Sequence, residues 1–156
     1  MSELENEILQ LVSFKLGKEE FGVDILKVQE INRMLEITEM PNAPEFVEGI
    51  VNLRGRIITV VDLKKRLRLP IKPHDNTTRI IVVELHGKTV GFIVDEVSEV
   101  LRIESSITEP PPEMVAGIDA DYITSVAKLE NRLLILLDLN KILSFEEKEE
   151  LESVLN

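Results

Sequence analysis

The sequence contains no cysteine. That excludes disulfides, thiolate metal sites and cysteine nucleophiles, and it fits a reducing compartment. Tryptophan is also absent and aromatic residues make up only 4 % of the chain, which disfavours carbohydrate or base stacking. Positive charge is in short supply. Eighteen lysines and arginines face 29 acidic residues, for a formal net charge of −11. Nucleic-acid binding relies on cations that displace counterions from phosphate, so this balance argues against it and against direct contact with anionic lipid. The longest unbroken apolar run, Leu133 to Leu137, is far short of the ~20 residues that span a bilayer. The N-terminus carries Glu3, Glu5 and Glu7 instead of the basic start of a secretory signal. The expectation is a soluble, cytoplasmic protein that reaches membranes only through partners.

What is present is strand periodicity. Val12, Phe14 and Leu16 alternate with Ser13 and Lys15, and after the Gly17-Lys18-Glu19 turn a second strand runs from Glu20 to Val23. Asp24 to Lys27 reads as a bend, and Val28 to Met34 as extended, with a helix over Ile25 to Leu35 as the rival. Alternation places Val28 and Glu30 on one face and Gln29 and Ile31 on the other. A short strand over Ile37 to Met40 and one helical turn at Pro44-Glu45-Phe46 lead into a hairpin. Its turn is Arg54-Gly55, and its second strand is Arg56 to Val61. Asp62 is placed to cap a helix Leu63 to Leu69 that Pro70 ends. Lys64, Lys65, Arg66 and Arg68 read as the solvated face of that helix. Pro70 to Thr77 is polar and reads as a link between halves. Arg79 to Leu85 suits a strand buried on both faces, and Thr89 to Val94 returns with Val90, Phe92 and Val94 inward. Ser98 to Ile103 is extended. Pro110-Pro111-Pro112 makes 105–120 mainly loop. Tyr122 to Leu129 and Arg132 to Leu137 form a last hairpin, Asp138 caps a short helix to Leu143, and Ser144-Phe145-Glu146-Glu147 opens a terminal helix.

The chain repeats itself. Leu53 to Leu63 matches Leu129 to Leu139 at an offset of 76, with the turn Gly55 replaced by Asn131, which also accepts positive φ, and Arg54 replaced by Glu130. At an offset of 69, Leu16, Gly22, Val28 and Glu30 match Leu85, Gly91, Val97 and Glu99. Two matches in the same order indicate a duplicated strand-rich unit. Small open sheets leave pairing edges, so each unit is expected to close on itself. The fold class is therefore mainly β. We expect two small five-stranded β-barrel subdomains with short helices and a C-terminal helix, and a groove between the barrels. Barrel one is placed at 17–78, barrel two at 8–16 with 79–143, and the terminal helix at 144–156.

No reaction chemistry is legible. The glycines never assemble into a dinucleotide fingerprint or P-loop, and there is no nucleophile elbow. His74 and His86 fall in a linker and a turn without ligand spacing, so no metal or cofactor is expected. Asp24 and Asp95 stand near strand ends and form the one acid–base pair worth testing, against the simpler role of turn and cap residues. A hydrolase requires those two carboxylates to converge. A small-ligand barrel requires a concave pocket in the inter-barrel groove. The remaining reading is a binding surface. Val28, Ile31, Phe92 and Val97 lie near candidate strand faces, and a mixed face such as Val28 with Glu30 suits a peptide-binding groove.

Asp24-Ile25-Leu26-Lys27-Val28-Gln29-Glu30-Ile31, Gly49-Ile50-Val51-Asn52-Leu53-Arg54-Gly55, Val61-Asp62-Leu63 and Gly91-Phe92-Ile93-Val94-Asp95-Glu96-Val97 occur in this order, with Leu134-Ile135-Leu136 near the end. In these stretches the chain resembles the CheW family of bacterial chemotaxis coupling proteins, from about Glu7 to Leu143. The resemblance implies two intertwined five-stranded barrels and a non-catalytic adaptor. Its partners would be the cytoplasmic tip of chemoreceptors and the CheW-like regulatory domain of the histidine kinase CheA. The same fold occurs in CheA itself and in the adaptor CheV. Carried over to this chain, the resemblance puts Glu30 and Arg54 on or near the receptor-contacting surface. With the apolar neighbours, the candidate receptor-binding residues are Val28, Glu30, Ile31, Arg54, Phe92 and Val97. No kinase-binding residue is assigned.

Overall fold

The computed structural model describes residues 7–85 and 87–143. Strands β1 (Ile8–Leu16) and β2 (Glu19–Asp24) form the first hairpin, a 3-10 turn (Ile25–Lys27) follows, and β3 (Val28–Arg33) is extended. The helical alternative over Ile25 to Leu35 is thus excluded. Strands β4 (Val47–Leu53) and β5 (Arg56–Asp62) lead to the short helix α1 (Leu63–Arg66). The second half repeats this order with β6 (Arg79–Leu85), β7 (Lys88–Val94) and β8 (Glu96–Glu104). Three two-residue strands follow, β9 (Thr108–Glu109), β10 (Met114–Val115) and β11 (Ile118–Asp119). Then come β12 (Ile123–Lys128), β13 (Leu133–Leu137) and α2 (Leu139–Ile142). The expected terminal helix at 144–156 lies outside the described residues.

The two halves exchange hairpins. One sheet runs β8-β1-β2-β13-β12-β9 and the other β3-β6-β7-β5-β4. Each therefore embeds the first hairpin of one half among three strands of the other. The two parallel pairings are repeat mates: Leu136 lies opposite Gly22, and Val60 opposite Gly91. Even the bulges repeat. Gln29 is the extra residue of β3 and Ser98 that of β8, while Glu48 and Thr124 are the extra residues of β4 and β12. This corrects the expected subdomain ranges. Strand β2 belongs with β1, and β6 and β7 belong with β3, β4 and β5, so the division is 28–62 with 79–94 against 8–24 with 96–137. The mainly β architecture and its two five-strand repeat sets stand, with β9 added to one. The hydrogen-bonded order of neither sheet runs full circle.

Apolar residues on the facing sides of both sheets make the main core, including Phe14, Phe21, Ile81, Phe92, Val94 and Ile135. The Phe14 and Phe21 rings stack at 5.8 Å. Because β6 and β13 are covered on both faces, they read as continuous apolar runs. Smaller clusters lie behind each sheet, one around Val60, Ile80 and Val82, and one around Leu11, Leu134 and Leu136. Among the described residues, side chains fill the space between the sheets and leave a void of about 10 Å³ there.

Several local expectations change for physical reasons. Residues 37–40 form no strand, only a bridge of Thr38 to Ile50, and Pro44 to Phe46 is a turn closed by Val47 N–H on the Pro44 carbonyl at 3.0 Å. Helix α1 stops before Pro70. Arg68 takes the left-handed conformation (φ 61°), its N–H bonds the Lys65 carbonyl, and the Leu69 N–H bonds the Lys64 carbonyl at 2.8 Å. That is a Schellman stop, which satisfies the orphan carbonyls of the last turn. Nor is the basic cluster a solvated face. Lys64 is 2 % exposed and pairs with Asp95 at 2.6 Å, and Lys65 pairs with Glu48. Arg66 lies over the rings of Phe46 and Tyr122 at 5.2 and 5.4 Å and donates to the Ile142 carbonyl of α2. Phe46 and Tyr122 are repeat mates, so one arginine ties the two copies together.

Gly49 permits the Thr38 bridge. Its φ is 148°, and a Cβ there would fall 2.1 Å from the Thr38 carbonyl oxygen. Gly49→Ala is therefore expected to cost about 2 kcal/mol or more, through strain and loss of both bridge bonds, read as a lower urea midpoint. Ser125 occupies the equivalent position of β12, where β9 pairs with Val126, the mate of Ile50, beside a residue that already carries a Cβ, so Ser125→Ala serves as the neutral control.

Candidate protein-interaction site

The hairpin tip between β4 and β5 is a two-residue turn with φ 52° at Arg54 and 86° at Gly55. Positive φ at both central positions is the type I′ geometry that matches strand twist. The Asn52 Oδ1 accepts the Gly55 N–H at 2.8 Å and fixes the turn. A non-glycine residue at positive φ is uncommon, and here it aims the guanidinium across the sheet face. Arg54 Nη2 donates to Glu30 Oε1 at 2.8 Å and to Oε2 at 2.5 Å, and Asn32 Nδ2 also donates to Oε1 at 2.8 Å. The result is an exposed, pre-oriented ion pair between β3 and the β4–β5 tip. The second hairpin does not repeat it. Neither Glu130 nor Asn131 has positive φ, so the expected positive-φ role of Asn131 is not realised.

The bulge at Gln29 resets the β3 faces. Val28 lies opposite Val83, whereas Glu30 lies opposite Val82, and adjacent residues of β6 point to opposite sides. Val28 therefore packs against the main core while Glu30 faces the other way, which corrects the single face expected for the two. Ile31, opposite Ile81, is 41 % exposed and shares the Val28 side. Val97, the repeat mate of Val28, sits on β8 of the other sheet, partly buried against the same core. Phe92 is 2 % exposed within that core and so is not a contact residue. Of the six candidates the structure brings Glu30 and Arg54 into contact, leaves Ile31 at the surface, and commits Val28 and Val97 in part and Phe92 wholly to packing. Phe92→Ala is expected to cost about 3–5 kcal/mol of stability, with loss of partner binding only in proportion to the unfolded fraction. Thermal denaturation beside a binding assay checks both.

Two residues escape sequence reasoning. Asn32 orients the Glu30 carboxylate; its only signal is its place two residues beyond Glu30 on the same strand. Arg132 serves Glu99, the mate of Glu30, at 3.3 Å and Glu20 at 2.7 Å. The repeat signals that pairing, since Arg132 is the mate of Arg56. Arg56 itself donates to Thr89, the mate of Glu20. Each acidic strand residue thus has an arginine, drawn from different positions of the two tips.

The Arg54 guanidinium and the Asn32 amide hold the Glu30 carboxyl below its ordinary value, and Glu30 raises Arg54 in turn. A depressed carboxylate contributes stability that is complete above its unfolded pKa and is lost as pH falls through the lower folded one. The pair is therefore expected to persist through mildly acidic pH, and an NMR titration of the Glu30 carboxyl should place its midpoint below that of an unpaired surface glutamate.

Asp24 and Asp95 do not converge. Asp24 lies opposite Leu11 and caps the 3-10 turn, while Asp95 bonds the Lys15 carbonyl through its N–H. Four residues of β1 separate those points, about 13 Å of strand. Asp95 is instead buried against Lys64. The hydrolase reading fails on this geometry.

Similarity to known proteins covers nearly the whole chain. The CheW-like domain family matches residues 10–147. A chemotaxis protein CheW of Klebsiella aerogenes is 39 % identical over 138 residues, covering 88 % of this chain and 83 % of the relative. One from Treponema pallidum is 33 % identical over 153 residues, covering 96 % and 90 %. Among solved structures, the scaffolding protein TtCheW of Thermoanaerobacter tengcongensis superposes with a TM-score of 0.82 at 39 % identity, over 91 % of this chain and 92 % of the other.

Proposed function

The chain belongs to the CheW-like family of chemotaxis proteins, and from that premise we propose that it is a non-catalytic adaptor coupling chemoreceptors to the histidine kinase CheA. It would hold the cytoplasmic tip of a receptor on one surface and the CheW-like regulatory domain of the kinase on another, and so assemble the signalling array. It works in the cytoplasm and reaches the membrane through the receptor. The observation that carries this reading is the exposed Glu30–Arg54 pair on a strained tip, a feature the repeated scaffold does not need, since its second copy has Glu130 in place of Arg54. Polar groups so placed set register and encounter rate more than raw affinity. Ile31 adds exposed apolar area on the same strand.

The test is a three-component pull-down. With the kinase regulatory domain immobilised, a receptor-tip fragment is expected to be retained only when this chain is present. Failure to bind either partner would overturn the reading.

A further inference from the structure

The segment that follows α1 crosses the end of the five-stranded sheet as a strap tied at both ends. At one end Leu69 packs on the main core, and its N–H bonds the Lys64 carbonyl. At the other the Thr77 hydroxyl donates to the Asp95 carbonyl, and Thr78 is buried with its N–H on the Asp75 carbonyl. Residues 70–76 between them are exposed, and Pro70 and Pro73 stiffen the run. Two side chains of this span reach buried carboxylates. Lys72 Nζ lies 3.8 Å from Asp95 Oδ2, and His74 Nε2 lies 3.9 Å from Asp62 Oδ2. Asp95 is also the anion of the buried pair with Lys64, and Asp62 caps α1 through its Oδ1. The duplicated scaffold does not ask for this arrangement, since the mates of Lys64, His74 and Asp95 are Asn140, Glu150 and Leu26.

We propose that residues 69–78 form a proton-sensitive lid over the carboxylates of Asp62 and Asp95, held down when His74 is protonated and loosened when it is neutral. Imidazole is the side chain that changes charge between pH 5 and 8. At 3.9 Å a neutral ring is beyond hydrogen-bond reach of Asp62, whereas an imidazolium is attracted by its charge at that distance. The other charged groups nearby leave that sign unchanged. The ammonium groups of Lys64 and Lys72 face Asp95, and Lys65 pairs with Glu48, which raises its ammonium more than Asp62 does. Arg66 turns to Phe46 and Tyr122, and Arg79 holds the Asn76 and Thr78 carbonyls at the end of the strap. Asp75 keeps its charge throughout, because the Thr77 hydroxyl and N–H hold its carboxyl below the ordinary value. It rides on the strap itself, so it attracts the ring in the open and closed states alike. Loosening the lid lets water reach the Lys64–Asp95 pair, which joins α1 to the β7–β8 connection, and the joint softens on the alkaline side. Asp62 ends β5 while Arg54 precedes its start, so the lid is independent of the proposed receptor contact.

The test is amide hydrogen exchange of the full chain, followed by NMR at about pH 5.5 and about pH 7.5, on either side of the imidazole titration, and corrected for the exchange rate of an unprotected chain. Two N–H groups at the edge of the lid report its opening: Leu69, bonded to the Lys64 carbonyl, and Gly17, bonded to Asp95 Oδ2. Their protection is expected to be about threefold higher at the lower pH, the scale of a partly exposed ion pair, while amides of β6 and β7 keep theirs. His74→Gln is expected to show the weaker protection at both pH values. His74→Lys, a permanent cation, should show the stronger protection at both. Asp62→Asn keeps a good cap for α1 but removes the charge, and it too should abolish the response. Equal protection at both pH values in the unaltered chain would overturn the proposal. So would a response that survives in His74→Gln or Asp62→Asn, or one that the amides of β6 and β7 share.

Discussion

Asp95→Ala is expected to lower the unfolding free energy by about 3–5 kcal/mol, the loss typical when one partner of a buried ion pair is removed. Asp95 joins four parts of the chain. Its Oδ1 meets the Lys64 Nζ at 2.6 Å, and its Oδ2 accepts the Gly17 N–H of the β1–β2 turn at 2.7 Å. Its backbone carbonyl accepts the Thr77 hydroxyl at 3.0 Å, and its N–H bonds the Lys15 carbonyl. Truncation strands the Lys64 ammonium, 2 % exposed, with no carboxylate beside it, and leaves the Gly17 N–H unpaired. Lys64→Met should cost less, about 1–3 kcal/mol, because Gly17 and the nearby Lys72 still face the carboxylate. Urea denaturation of the two single variants and the double variant Asp95→Leu/Lys64→Met measures this. The double variant is expected to recover most of the loss, since an apolar pair of similar volume removes the desolvation cost of both charges. Equal, small losses in both single variants would show that the pair is not a structural hinge point. As a domain of this size is stable by only about 5–15 kcal/mol, the Asp95 change alone takes a large share.

The second large effect is on binding. Glu30→Arg and Arg54→Glu are each expected to weaken the receptor tip about 10- to 100-fold while leaving kinase binding and the unfolding midpoint nearly unchanged, because exposed pairs contribute little to stability. The informative variant exchanges the two charges. Glu30→Arg/Arg54→Glu restores an ion pair of the same geometry with reversed polarity. If the pair only braces the β4–β5 tip, the exchange restores binding. If the partner reads the charges, binding stays lost. Isothermal titration with each partner separately decides between these, and the second result is expected.

Much of this is legible in the residues. Alternating apolar positions locate the principal strands, because a half-buried strand must alternate, and the offset matches of 69 and 76 expose the duplication. What the repeat does not encode is which copies pair. Leu136 is as good a neighbour for Gly22 as Val60 would be, so the hairpin exchange is decided by three-dimensional packing alone. The bulges are equally hidden. An extra residue at Gln29 leaves no mark in the hydrophobic pattern, yet it moves Glu30 to the face opposite Val28. Lys64 reads as solvated because a four-residue helix has no face long enough to read, and its partner Asp95 lies on a different strand connection. Phe92 enters the candidate site as an apolar residue near a candidate strand face, whereas its alternation with Val90 and Val94 already places it inward. Arg54 stands apart from the scaffold in the sequence because the second copy carries glutamate there; its positive φ and its bond to Glu30 are not legible.

An adaptor must hold two partners on separate surfaces of one chain at once. Titration of the receptor-tip fragment into the preformed complex of this chain with the kinase regulatory domain, compared with titration into the chain alone, measures this. The expected result is the same affinity in both, with a ternary complex of one copy each by light scattering. Displacement of the kinase domain as the receptor fragment binds would show instead that the two partners share a surface, and the adaptor reading would fail.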